Sequence, residues 1–338
     1  MRNRLFKIFA AAVLAVGTVF AALGTSSPNV AEAASKTGSA ERFYYDQLSD
    51  NEKLAYDKLA WAMQRGDFKI DISNLMLDAD SMTRVQRAIA NELEPDVYPY
   101  GSENYDWYTM TYYQASGLAA NLVINYDARS SEYVGAQERF DKAAAEVLAQ
   151  AKKKRSDYAK LKFIHDWLVN NTDYLAHSDS NYEPMYADGP IVRGRADCGG
   201  YAKAFKYLAQ SLGIDCIMVI GSTEGAETVN HAWNMVKLNG VWYNVDVTWD
   251  DRSVSGDNKI YYRYFLKGDR NFGVTHVPVE GYTYPEAPRD YSSSSVGTVV
   301  LAIVVLCAAA AAYLLWKRIK QKRAALRELN GTSDWTGE

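Results

Sequence analysis

The sequence predicts an α+β protein set between two apolar ends. Three observations predict it: an uncharged run near each terminus, a helical pattern from Asp197 to Gly213 with a cysteine in its first turn, and two alternating runs joined by Asn239-Gly240. The 338 residues are 48% hydrophobic and 23% charged, with 22 Gly and 8 Pro. That balance excludes disordered, collagen-like and disulfide-scaffold classes.

Arg2, Arg4 and Lys7 precede the uncharged stretch Ile8–Val30, and Ala31-Glu32-Ala33 offers small residues where a signal peptidase reads. Residues 1–33 are expected to be a secretory signal peptide, with an uncleaved anchor helix as the other reading; both imply export. At the far end, residues 292–316 carry no charge, and Val296–Trp316 would reach about 31 Å as a helix, the thickness of a bilayer core. Lys317, Arg318, Lys320, Lys322 and Arg323 follow at once. A single transmembrane helix at 292–316 is therefore expected, with a basic cytoplasmic tail at 317–338 and residues 34–291 outside the cell membrane. The chain carries −4 overall; residues 1–33 at +2 and 317–338 at +3 leave −9 for the middle. So acidic a surface has no electrostatic footprint for nucleic acid.

Within the exported part, Lys152-Lys-Lys-Arg-Ser156 divides a first module, 34–155, from a second, 156–291. Ser49-Asp-Asn-Glu52 has capping-box spacing, and Leu54, Leu59, Ala62 and Met63 form a stripe ended by Gly66, which predicts a helix. Tyr105–Tyr113 and Asn121–Tyr126 read as strands, and Ala136–Ala151 as a helix. The aromatic residues around Tyr98–Tyr113 fit strand packing better than a binding platform. The second module opens with a helix over 156–170, followed by a polar loop to about Gly194 long enough to be functional.

The chemistry-bearing residues come next. Tyr201, Ala204, Phe205, Leu208 and Leu212 share one face of the helix that Gly213 stops, so Cys198 lies in its first turn. Unpaired backbone N–H groups there favour a thiolate, and can also stabilise an oxyanion. His231 opens the run His231–Leu238, and Asn239-Gly240 is a two-residue hairpin signal before Val241–Val247. That loop pairs 238 with 241 and 233 with 246, which puts His231 and Asp246 on one face as diagonal neighbours whose side chains can meet. The other face, with Ala232, Val236, Leu238, Tyr243 and Val245, is expected to be the core face. Asp246 would orient His231, His231 would share the proton of Cys198, and the thiolate would attack an amide to leave a thioester.

On Cys198-Gly-Gly-Tyr-Ala-Lys-Ala-Phe, His231-Ala-Trp-Asn and Trp242-Tyr-Asn-Val-Asp246-Val-Thr-Trp249, with Ile164-His-Asp-Trp-Leu168 upstream, the chain resembles the transglutaminase-like superfamily. The resemblance implies a papain-like α+β core, a cysteine-bearing helix on an antiparallel sheet that bears the His and Asp. It makes Cys198 the nucleophile, His231 the general base and acid, and Asp246 the orienting residue. No oxyanion-hole side chain maps onto Tyr186–Asp197.

Other residues are expected to be structural. His165 is read as a core histidine, His276 as packing or capping the domain end, and Asp250-Asp251 with Asp257 as a solvated turn rather than a calcium loop. Cys198 and Cys216 have no partners at zinc spacing, and Cys216 in Cys216–Ile220 reads as a buried strand thiol, although a Cys198–Cys216 disulfide stays open. No cofactor or metal is expected. The resulting expectation is a membrane-anchored extracellular thiol enzyme, hydrolase ahead of transferase, taking protein or peptide substrates at the cell surface. The alternative is a non-catalytic surface binding module on the same fold.

Overall fold

A computed structural model describes residues 40, 42–65, 69–93, 109–124, 131–175, 185–226, 229–251, 259–292 and 296–331. The expected signal peptide lies outside them, as does Asp257. The described chain falls into two units that meet at Asp290/Tyr291.

In the first unit, α1 (Phe43–Asp46) leads into α2 (Asp50–Arg65). The capping box closes as its spacing requires: the Ser49 backbone N–H donates to Glu52 at 2.7 Å. A helix not foreseen, α3 (Ala79–Glu92), packs beside α2; Asp78 caps it by accepting from the Ser81 N–H at 2.9 Å, and Met82, Val85, Ala88 and Ile89 are its buried face. Strands β1 (Lys69–Asp71), β2 (Thr109–Tyr113) and β3 (Ala119–Ile124) form an antiparallel sheet in the order β1-β3-β2. Leu59, Ile72, Met82, Val85 and Leu122 fill this core, and Tyr186, from the second half of the chain, is buried with them. Tyr44 also reaches across, donating from its hydroxyl to the Met218 carbonyl at 2.5 Å.

The helix expected at 136–151 is α4 (Ser131–Ala151), and it lies against the second half: the Phe140 ring meets Tyr207 edge-on at 4.8 Å. Lys152–Ser156 is a turn, after which Ser156 caps α5 (Asp157–Asn171). Two short parallel strands, β4 (Asp173–Tyr174) and β5 (Arg195–Ala196), then bracket the polar loop. α6 (Cys198–Ser211) follows directly. The main sheet comprises β6 (Cys216–Thr223), β7 (His231–Leu238), β8 (Val241–Val245) and β9 (His276–Pro278), antiparallel in the order β8-β7-β6-β9, with α7 (Asp269–Phe272) preceding β9.

The hairpin register is the one the two-residue loop demands, from Leu238↔Val241 to Asn234↔Val245. Asn239 and Gly240 both take positive φ, 52° and 80°, as the turn requires. The expectation of one core face is corrected. Ala232, Val236 and Leu238 are buried, but so are Trp233 and Met235 on the opposite face, because Ala40, Phe272 and Ala287 cover it. Gly221 marks how closely that cover approaches: a Cβ there would lie 2.2 Å from the Val277 carbonyl oxygen and 2.5 Å from the Trp233 ring.

The second unit contains a single long helix, α8 (Val296–Gly331). Of the expected membrane span, 292–316, residues 296–316 form the first part of this helix, although the side chains of 296–304 lie outside those described. Among the described residues no helix is long and apolar enough to cross a membrane.

Candidate active site

Each of the three sequence-predicted residues sits at the end of an element. Asp197 caps α6 by accepting from the Gly200 N–H at 3.0 Å, which places Cys198 in the first turn, partly buried. His231 is the first residue of β7, paired with Gly221 of β6. Asp246 follows the last residue of β8, held by its own N–H to the Tyr264 carbonyl at 3.0 Å.

The structure brings these residues together. His231 Nε2 lies 2.7 Å from Asp246 Oδ2, and both residues are buried. The Cys198 sulfur is a near enough neighbour of the His231 ring to raise its pKa. Since Nε2 is engaged with Asp246, Nδ1 is the ring nitrogen left for sulfur. Burial alone would push the His231 pKa down, but the Asp246 carboxylate first, and the Cys198 sulfur after it, push it up to about 10. Burial would raise Asp246; its partners His231 and His276 outweigh that and hold it at about 2. The pair is therefore a carboxylate facing an imidazole that readily takes a proton from a thiol. Cys216 is a free buried thiol that burial pushes far up in pKa, and Cys198 is likewise unpaired by a disulfide.

Two site residues were missed from sequence. Tyr174, at the end of β4, lies within electrostatic reach of the thiol: burial raises its pKa, and the charges of Cys198, Asp197 and Asp246 raise it further. The pairing of β4 with β5, just before the cysteine, puts it there. His276 was expected to pack or cap. It does pack, stacked on Phe272 with ring centroids 3.9 Å apart, but its Nε2 also lies 3.0 Å from Asp246 Oδ2. No local signal marks that contact, because β9 must first pair with β6.

The expectation of a solvated turn at Asp250-Asp251 is corrected. Both carboxylates are fully buried; Asp250 accepts from the Tyr264 N–H at 3.1 Å and faces His165 Nε2 at 3.3 Å, while Asp251 accepts from the Tyr201 hydroxyl at 2.5 Å. They tie the loop after β8 to α5 and α6. His165 is a core histidine, as expected.

Among the described residues, His231, Asp246 and His276 are the three whose ligand atoms cluster as a metal site would require. Two of their contacts, 2.7 and 3.0 Å to one shared carboxylate oxygen, are hydrogen-bond distances. Ligands about 2.0–2.1 Å from a tetrahedral zinc stand about 3.3 Å apart, so the cluster fits shared protons better than an ion.

Comparison with known proteins agrees with this geometry. The family model described as the Transglutaminase-like superfamily matches residues 141–247. The matched segment spans Cys198, His231 and Asp246. Kyphoscoliosis peptidase of Homo sapiens is 27% identical over 161 residues, covering 43% of this chain and 24% of its own length. The Mus musculus protein of that name is 26% identical over 177 residues, covering 48% and 26%. The chain thus spans about a quarter of the length of these curated relatives. Similar solved structures include one described as a TGase (18% identity, 54% of this chain and 55% of that one, TM-score 0.31) and the periplasmic domain of TgpA from Pseudomonas aeruginosa (14% identity, 41% and 55%, TM-score 0.29).

Proposed function

We propose that the protein is a thiol enzyme acting on amide bonds through a Cys198 thioester, anchored in the cell membrane by residues 292–316 with its catalytic domain outside. The observation that carries the reading is the buried His231 Nε2–Asp246 Oδ2 contact at 2.7 Å, with the Cys198 sulfur, in the first turn of α6, acting on the same imidazole. Cys198 gives its proton to His231 Nδ1 and attacks the carbonyl carbon. The tetrahedral oxyanion faces the backbone N–H groups of the α6 N-terminus, which has no intrahelical use for them. His231 then returns the proton to the leaving amine, the C–N bond breaks, and a thioester remains. Water releases an acid; a second amine would give a new amide. Hydrolysis is the favoured outcome, since nothing among the described residues marks an amine-binding site. The uncharged run 296–316, followed at once by basic residues, supports the anchor and the orientation, and surface proteins or cell-wall peptides are then the substrates within reach.

The test uses a generic acyl donor, 4-nitrophenyl acetate. The full chain should release a burst of nitrophenol and carry an acetyl group on Cys198 by mass spectrometry, and Cys198→Ala should do neither. Adding an excess of a primary amine should leave acetate as the main product; an acetamide in its place would make the enzyme a transferase. A folded protein that forms no adduct would leave the fold as a binding module.

A further inference from the structure

Asp246 accepts more than its partner His231 requires. Oδ1 takes the Trp249 backbone N–H at 3.1 Å, while Oδ2 takes both His231 Nε2 at 2.7 Å and His276 Nε2 at 3.0 Å. A carboxylate only accepts, so each of these ring nitrogens must carry a proton. His276 is fully enclosed by Phe272, Trp249, Trp233 and Tyr264. An imidazole in such a cage is costly unless both nitrogens are bonded, and both are: Thr275 Oγ1 sits 2.8 Å from Nδ1. The Thr275 hydroxyl also reaches the Phe272 carbonyl, at 3.3 Å; whichever way the Thr275–His276 contact runs, the acceptor-only carboxylate requires the proton on Nε2. Packing alone would be served by another aromatic ring.

Resting on the enzymatic reading above, we propose that His276 is a positioning residue: by donating to the carboxylate oxygen that orients His231, it fixes Asp246 and weakens its hold on the protonated His231. The consequence is directional. Without the His276 donor, the whole charge of Asp246 acts on His231, which then keeps its proton to higher pH and gives it less readily to a leaving amine. The titratable groups facing this centre are Cys198 from α6, Tyr174 from β4, Asp246 and Asp250 after β8, Tyr264 before α7, and His276 from β9.

The experiment labels the four histidines of the full chain with 15N and follows the His231 titration by NMR, alongside the pH profile of Cys198 alkylation by iodoacetamide. In His276→Phe the His231 titration should move up by about one pH unit, the size of one charge-assisted hydrogen bond, and the upper inflection of the alkylation profile should move with it. His276→Gln, whose amide N–H reaches the same place, should titrate like the native chain. Equal titration in native and Phe variants, or equal displacement in Gln and Phe variants, overturns the proposal. Should His276→Phe not fold, the native spectrum decides: His231 and His276 must both be protonated on Nε2 at neutral pH, and a His276 with no proton on Nε2 overturns it. An ordinary, unactivated Cys198 in every chain, with the His231 displacement intact, would overturn the enzymatic reading and leave this coupling standing.

Discussion

Two carboxylates, half-buried Glu92 and fully buried Asp246, one in each half of the first unit, accept similar sets of hydrogen bonds and end in opposite states. Glu92, at the end of α3, receives the backbone N–H groups of Tyr44 and Tyr45 and the Tyr56 hydroxyl. Burial still pushes its pKa up to about 7. Asp246 receives the Trp249 N–H and two imidazoles, and is held at about 2. Neutral donors soften the cost of burying a charge without abolishing it, whereas an imidazole that can become a cation reverses the balance. The N-terminal core thus stores a carboxyl that keeps its proton up to about pH 7, and the site stores one that stays ionised down to about pH 2.

The strongest way to break the comparison is to remove the charge of Asp246 while keeping its shape. Asp246→Asn leaves an amide whose NH2 must face either the two imidazole N–H groups or the Trp249 N–H, so His231 loses the charge, and with it the firm hold, that sets its tautomer. The 4-nitrophenyl acetate burst rate should fall by up to about 10⁴-fold, the magnitude seen when a triad carboxylate becomes an amide. Little change would show that the carboxylate is not part of the machinery.

Stability against pH separates the two carboxyls next. The folded pKa of Glu92 is raised, so its contribution is fully present below about 4.5 and is lost as pH rises through about 7. Asp246 has a lowered folded pKa, so its contribution is present above about 4 and is lost as pH falls towards 2. Chemical denaturation of Glu92→Gln should therefore lack the loss between pH 4.5 and 7, a difference on the order of 2–3 kcal/mol, while keeping the acid limb. An unchanged slope above pH 4.5 would mean that Glu92 is ionised and well solvated.

A smaller effect tests the packing that dries the site. Gly221→Ala drives a methyl group into the Val277 carbonyl and the Trp233 ring, and should cost about 1–3 kcal/mol in denaturation. It should also lower the alkylation rate of Cys198, since Val277 adjoins His276 and Trp233 lies in the same aromatic cage. The smallest effect is expected at the other end of the ladder: Asn239→Val, which places a β-branched residue at φ 52°, should cost about 1–2 kcal/mol and leave thiol reactivity untouched.

The same division explains what could be read in advance. Asn239-Gly240 permits one loop length, so the pairing that brings His231 to Asp246 was legible residue by residue, and the Asp197 cap with Gly213 bounded the cysteine helix. These are local signals with one solution each. Helix α3 was legible in principle, from the Asp78 cap and the spacing of Met82, Val85 and Ile89, but it lacked a glycine stop and was overlooked. His276, Tyr174 and the burial of Asp250 and Asp251 were not legible. Each depends on a pairing or tie between segments far apart in the chain: β9 on β6, β4 on β5, and the loop after β8 on α5 and α6.

The central claim, that Asp246 and His231 together activate Cys198, is tested most directly by the pH dependence of iodoacetamide alkylation at Cys198 in the native chain and in His231→Ala. At pH 6 an ordinary thiol of pKa about 8.5 is less than 1% thiolate. The account predicts substantial native reactivity at that pH and a loss of about 10²-fold in His231→Ala, with Cys216, buried and protonated, silent in both. Equal profiles for the two chains, each rising only near pH 8.5, would contradict it.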